Sequence, residues 1–267
     1  MNLNDEHIQD SVSFIREHTS SSPRIGVILG SGLGDFVDSL SPTVTVSTAD
    51  IPHYPRSSVE GHKGQLIFAS IGDKEILAFQ GRVHFYESGN VHAVLYPIHV
   101  AHGLGVKTLI VTNAAGGVNR AFSPSDLMLI TDQINLTDRI PSFNPDRKSI
   151  SKELYSKRLT DRTYSIAEAN GIALQSGVYV GLKGPSYETA SEIEMIRRIG
   201  GDAVGMSTVL EVSCAAQLEM EVLGITCITN LGTGIGKDKL SHAEVTEVGN
   251  RVRKTFATLV SSIINAI

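Results

Sequence analysis

The chain has 267 residues, 41% of them hydrophobic and 19% charged, with a formal net charge of −5. That balance suits a globular protein, and the negative charge offers no global attraction to nucleic acid or to an anionic membrane, so any phosphate site has to be local. The two cysteines, Cys214 and Cys227, are too few for a disulfide framework and fit a reducing compartment. The start of the chain is polar, and no apolar run approaches the roughly 20 residues that span a bilayer, so a cytoplasmic protein without membrane partners is expected.

In chain order, Ile8, Val12 and Ile15 fall at helical spacing within residues 5–18. Arg24–Leu29 reads as a buried strand that ends in Gly30-Ser31-Gly32-Leu33-Gly34, with a helix to follow. Gln65–Ile71 and Lys74–Phe79 are strands joined by Gly72-Asp73, a hairpin signal. Val91–His102 reads as a helix in which Pro97 introduces a kink, and Lys107–Thr112 and Leu127–Ile134 as buried strands. Residues 136–150 form the longest polar, proline-containing stretch and read as a mobile loop. Ser151–Ala169 is helical, Leu174–Gly181 a strand, Thr189–Ile199 and Thr208–Leu223 helices, Ile225–Thr229 a strand, and Ser241–Ile264 a long closing helix. Thr189/Glu192, Thr208/Glu211 and Ser241/Glu244 all have capping-box spacing. The closing helix carries the apolar stripe Val245, Val248, Val252, Phe256, Leu259, Ile263. Strands alternating with helices predict an α/β protein, a single domain over residues 1–267, whose sheet is mixed because of the hairpin and is flanked by helices.

In such folds ligands gather at the carboxyl ends of strands, and the turns after residues 29, 112, 181, 205 and 229 lie there. Gly205-Met206-Ser207-Thr208-Val209-Leu210-Glu211 ends an apolar segment and opens a helix, whose free N–H groups suit an anion. Gly30–Gly34 reads equally as a phosphate nest or as a plain strand-to-helix turn. It is not a dinucleotide fingerprint, because Asp35 stands where the third glycine belongs. Gly232–Asp238 imitates a phosphate loop but lacks its first glycine and its closing Ser/Thr. Arg82, His84 and Tyr86 alternate, so on an extended segment all three point to one side, offering a charged fork, a ring nitrogen and a hydroxyl. Thr112–Gly117 has small residues that admit either a ligand or tight packing. Lys183–Glu188 brings an aromatic ring beside an acid at a strand end, and Asn230 supplies an amide that both donates and accepts. His62 and His242, taken singly, read as loop and surface histidines. His99 and His102 share a helix face, but no metal motif accompanies them, so neither metal nor cofactor is expected.

Together the blocks VILGSGLG (27–34), EGHKG (60–64), FQGRVHFYE (79–87), VTNAAGG (111–117), GLKGPSYET (181–189), DAVGMSTVLE (202–211), ITN (228–230) and SHAEV (241–245) resemble the trimeric class of purine nucleoside phosphorylases, in order and spacing, across nearly the whole chain. The resemblance implies reversible phosphorolysis of purine (deoxy)ribonucleosides, with phosphate as co-substrate, by a cyclic homotrimer. It implies that Ser31, Arg82, His84, Ala114 and Ser207 hold phosphate with His62 on the loop above it. Tyr86, Met206 and His242 would contact ribose, and Ala115, Tyr187, Glu188, Gly205 and Asn230 the base. Asn230, Glu188, His84 and His242 would carry the catalytic burden. A 6-oxopurine offers N1–H to Glu188, whereas adenine leaves the carboxylate unpaired, so inosine and guanosine are expected to be preferred.

This chain departs from the family's pattern at 136–150, which is shorter. Asp146-Arg147-Lys148 stands where better-known members present a phenylalanine to the neighbouring subunit, so either Phe143 substitutes or the aromatic lid is missing, and that role is not carried over. Leu231-Gly232-Thr233-Gly234 after Asn230 leaves xanthosine open as a substrate. The rival in the same superfamily, a methylthioadenosine phosphorylase, expects Asp at position 230. A nicotinamide dehydrogenase would need the glycine spacing that Asp35 spoils. A non-catalytic sensor would bind inosine without consuming it.

Overall fold

The structure, a computed structural model, describes residues 4–59, 62–139, 153–236 and 242–267, and of residues 242–246 the backbone alone. The chain runs α1 (Asp5–His18), β1 (Ile25–Leu29), a 3-10 helix (Gly34–Ser39), β2 (Ser41–Ser47), β3 (Gln65–Ile71), β4 (Lys74–Gln80), α2 (Phe85–Ser88) and α3 (Val91–Gly103). It continues with β5 (Thr108–Gly117), β6 (Leu127–Asn135), α4 (Lys157–Ala169), β7 (Leu174–Gly181), α5 (Ala190–Arg198), β8 (Ala203–Gly205), α6 (Val209–Gln217), β9 (Glu221–Leu231) and α7 (His242–Ala266).

The described strands form one nine-stranded sheet in the order β2-β3-β4-β1-β5-β8-β7-β6-β9, and β5 pairs with β9 as well. Strands β5, β8, β7, β6 and β9 therefore close into a ring, onto which β1 and the β2–β3–β4 meander extend as an open sheet. Pairing is mixed: β1–β4, β1–β5, β5–β9, β6–β7 and β7–β8 are parallel, while β2–β3, β3–β4, β5–β8 and β6–β9 are antiparallel. Every residue of β1 is buried, as expected of a strand covered on both faces. One face packs Ile15, Leu95, Ile98 and Val212 from α1, α3 and α6, and the other packs Leu159 of α4 with Val252, Phe256 and Leu259 of α7. No described helix is long and apolar enough to cross a membrane.

Several local readings shift. Strand β2 gave no apolar signal because it is an edge strand with most of its residues exposed or half-buried. Asn113–Gly117 is not a turn after a strand but its continuation. Its small residues let β9 pair on one side and β8 on the other. The helix expected to reach Leu223 ends at Gln217. Met220 N–H returns to the Ala215 carbonyl at 3.0 Å, Glu219 takes φ +60°, and β9 begins at Glu221. The good helix formers at 215–223 hid that stop. The helix expected from Ser151 starts at Lys157, where the Ser156 hydroxyl caps Leu159 N–H. Pro97 lies inside α3, which runs on as one helix to Gly103. The Thr189/Glu192 capping box forms as read. The loop at 140–150, with Phe143 and Asp146–Lys148, and the Ser241/Glu244 pair lie outside the described residues or side chains.

Candidate active site

The carboxyl ends of β1, β5, β7 and β9 converge with the segment after β4 and the start of α6 on one cavity of about 130 Å³. Ser31, Arg82, His84, Tyr86, Ala114, Ala115, Tyr187, Glu188, Gly205, Met206, Ser207 and Asn230 all line it. Glycines let the walls close up. A Cβ on Gly30 would stand 2.6 Å from the Asn113 Cα, and one on Gly184 would strike Met206, so the 183–188 loop lies directly on that methionine.

The basic end is built around Arg82, only 6% exposed. Its Nη1 donates to Ser207 Oγ at 3.0 Å and Thr208 Oγ1 at 3.2 Å, and its Nη2 to the Thr112 carbonyl. Glu211, also buried, lies 3.3 Å from Nη1. The Arg82 Nε is buried with no partner. Ser207, Thr208 and Val209 make a tight γ-turn, in which Val209 N–H bonds the Ser207 carbonyl at 2.8 Å and Thr208 takes φ +74°, ψ −56°. For a β-branched residue that conformation is strained by about 1–3 kcal/mol. Three bonds hold it: Thr208 N–H to Glu211 at 2.9 Å, and Asn113 Nδ2 and Arg82 Nη1 to the Thr208 hydroxyl, the first at 2.9 Å. The capping pair at 208/211 thus exists, but its members also serve the arginine.

Arg82, His84 and Tyr86 do meet at the cavity, though not by strand alternation. The chain leaves β4 and turns at His84 into the single turn of α2, with His84 as its N-cap. The rings of His62, His84 and Tyr86 stack in series, with centroids 5.2 and 4.9 Å apart. Glu87 accepts the His84 backbone N–H at 2.6 Å and lies 3.3 Å from its Nδ1. Burial pushes the Glu87 carboxyl up, but hydrogen bonds from the His84 ring and backbone and from Ser58 outweigh it and bring it down to about 2. His62 stands behind the cavity wall rather than on it, its Nε2 3.3 Å from Ser31 Oγ and its Nδ1 2.8 Å from the Arg82 carbonyl. Burial lowers His62 to about 4 against the raising effect of the Arg82 carbonyl bond, so the ring is neutral at pH 7.

At the opposite end Glu188 is 9% exposed, and burial raises its pKa. Thr229 Oγ1 donates to Asn230 Oδ1 at 3.0 Å, and Asn230 Nδ2 reaches the Leu231 carbonyl at 3.3 Å. A Cβ on Gly116 would stand 3.2 Å from that Nδ2, so the backbone of β5 backs the amide. Tyr187 is 48% exposed at the mouth, and Gly205 lies against the Tyr179 hydroxyl, where any side chain would clash. His242 is the first residue of α7, and its side chain is outside the description. Among the described residues, no group of three or more His, Cys, Asp or Glu is placed to hold a metal ion.

One cavity thus joins a buried guanidinium with hydroxyl donors to a half-buried amide and a buried carboxylate, as binding an anion next to a polar heterocycle requires. The model of the phosphorylase superfamily matches residues 24–265. Purine nucleoside phosphorylase 1 of Geobacillus stearothermophilus is 44% identical over 98% of both chains, and the Bos taurus purine nucleoside phosphorylase 36% identical over 98% of this chain and 95% of its own. A Schistosoma mansoni purine nucleoside phosphorylase solved with inosine superposes with a TM-score of 0.89 at 32% identity, covering 99% of this chain and 97% of its own. The chain belongs to the purine nucleoside phosphorylase family.

Asn113, Gly116, Val204, Thr229 and Gly232 also line the cavity of this family member without having been singled out as site residues. Asn113, Gly116, Val204 and Thr229 sit inside the blocks that carry the family resemblance, so their signal is present in the sequence. In the sequence Glu87 is only the last residue of the 79–87 block and Glu211 only a capping-box acid, and nothing local reveals that they hold His84 and Arg82.

Proposed function

We propose that the chain catalyses reversible phosphorolysis of purine ribo- and deoxyribonucleosides, 6-oxopurines preferred, to free base and α-(deoxy)ribose 1-phosphate. The observation that carries this reading is the sharing of one cavity by the Arg82–Ser207 cluster and the Glu188–Asn230 pair. Phosphate sits among Ser31, Arg82, His84, Ala114 and Ser207, backed by His62. Ribose lies against Tyr86 and Met206 with His242 at the 5′-hydroxyl, and the base lies between Ala115, Tyr187, Glu188, Gly205 and Asn230.

The glycosidic bond breaks through an oxocarbenium-like sugar, and charge flows into the purine. Positioning the anion beneath C1′ and stabilising the leaving base supply the catalysis. Asn230 donates to N7 as negative charge develops there, and Thr229 fixes its amide from the other side. Glu188, as a carboxylate, accepts N1–H and the 2-amino group of guanine. Adenine has no N1–H, and the unpaired buried acceptor costs about 1–3 kcal/mol or more. Asn rather than Asp at 230 disfavours a methylthioadenosine phosphorylase. The reading includes a homotrimer, a cytoplasmic location and no cofactor beyond phosphate as co-substrate.

Incubation with inosine, guanosine or adenosine, with and without phosphate, tests it by release of free base. Release of hypoxanthine and guanine that depends on phosphate is expected. Base release without phosphate, or none at all, refutes the reading, and sedimentation checks the trimer.

A further inference from the structure

Glu211 does not line the cavity, yet it is among the most deeply buried charged groups in the described chain, 3% exposed, one turn into α6. Its carboxylate meets two groups that face the anion end. One is the Arg82 guanidinium at 3.3 Å, and the other the N–H of Thr208, the strained centre of the turn that presents Ser207. A buried guanidinium with no counter-charge is strongly destabilising, and a positive-φ threonine needs its backbone donor satisfied. One side chain meets both needs.

We propose that Glu211 is a positioning residue that balances the charge of Arg82, so that the site holds phosphate in a fixed pose without binding it tightly in the ground state. The inference rests on the phosphate reading of this end of the cavity. Arg82 and Glu211 together carry no net charge. An incoming phosphate dianion therefore meets an oriented fork and hydroxyl donors rather than an unopposed cation. This matters for rate, because phosphate gives up negative charge to C1′ as it attacks. An unopposed arginine favours the dianion over the transition state, and attraction made before the chemical step deepens the ground state without raising kcat.

The sign of the effect separates this role from simple structural support. In Glu211→Gln the side-chain oxygen still accepts from Thr208 N–H, and Ser207, Thr208 and Thr112 still hold the guanidinium, but the opposing charge is gone. Inorganic phosphate should then bind on the order of tenfold more tightly by calorimetry, with kcat for inosine phosphorolysis reduced and the inosine KM little changed. Support of the fold alone gives the reverse, a weaker phosphate affinity. Glu211→Asp keeps the charge but shortens the reach, so phosphate does not tighten while kcat falls.

Unchanged or weaker phosphate binding by Glu211→Gln overturns the proposal. So does a Glu211→Asp enzyme with wild-type kcat and phosphate affinity, and that arm decides alone if Glu211→Gln does not fold. A wild-type protein that binds no inorganic phosphate refutes the reading of the site itself, an outcome distinct from a failure of the Glu211 variants.

Discussion

Gly249 offers a sharp test of how the scaffold sets the anion end. It lies in α7, and a Cβ built there would collide with the carbonyl oxygen of Gly32 and stand 2.8 Å from its carbonyl carbon and 2.9 Å from its Cα. All three are backbone atoms, so no rotamer relieves the clash. Restoring carbon–carbon contact distances of about 3.5 Å needs a shift of roughly 0.6 Å or more. The helix cannot supply it cheaply, because Val248, Val252, Phe256, Leu259 and Ile263 are all buried along its stripe. The 30–34 loop is confined on its other side, where Gly30 already abuts β5, so it is displaced along the surface and carries Ser31 with it. Overpacking of this kind costs about 1–3 kcal/mol, and each kcal/mol lowers the Tm of a domain this size by about 2–4 °C. A 1 Å misplacement near reacting groups costs about 10²-fold, so half of it predicts roughly tenfold in kcat/KM for phosphate. Gly249→Ala should therefore lose kcat/KM in a phosphate titration at saturating inosine and melt several degrees lower, while exposed Asn250→Ala leaves both unchanged. A Gly249→Ala protein with wild-type phosphate kinetics and wild-type Tm refutes the coupling of α7 to the loop.

Three further outcomes follow from the same geometry. Asn230→Asp should raise the adenosine-to-inosine ratio of kcat/KM on the order of tenfold, because a carboxylate accepts from the adenine 6-amino group; an unchanged ratio removes Asn230 from selectivity. Burial raises the Glu188 pKa, so its carboxyl becomes protonated at a higher pH than the ordinary glutamate value of 4.5. Inosine KM should climb as pH falls through that region, and the adenosine-to-inosine ratio should rise with it, since a protonated carboxyl can donate to N1 of adenine; a flat ratio, or one unaltered in Glu188→Gln, counts against the assignment. Glu87 has its folded-state pKa lowered to about 2 from an ordinary 4.5, so its contribution to stability is complete above pH 4.5 and is lost as pH falls towards 2. Urea denaturation should find Glu87→Gln less stable than wild type at pH 7, with the gap closing between pH 4.5 and 2, and a gap independent of pH contradicts the assigned bonds.

How much of this was legible follows from where the signal is stored. Strand β1 is readable because burial on both faces leaves a continuous apolar run, and the stripe of α7 because burial on one face leaves a helical period. Strand β2 is not, because an edge strand with few buried residues leaves neither. Asn113–Gly117 looked like a turn because small residues mark turns, and here they serve a strand squeezed between two partners. The 82–86 segment gathered the right residues through the wrong geometry. An alternating pattern and a strand followed by one helical turn can deliver the same three side chains, and spacing alone does not separate them. Glu211 shows the deeper limit. Its spacing from Thr208 marks a helix start whether the carboxylate is solvated or sealed against an arginine brought in from the end of β4. A capping acid becomes a charge partner only through the tertiary fold. In this cavity the groups expected to touch substrate were therefore nearly all readable as motifs, while those that hold them in place, Glu87, Thr208 and Glu211, emerge only when strands distant in sequence are brought to the same end of the sheet.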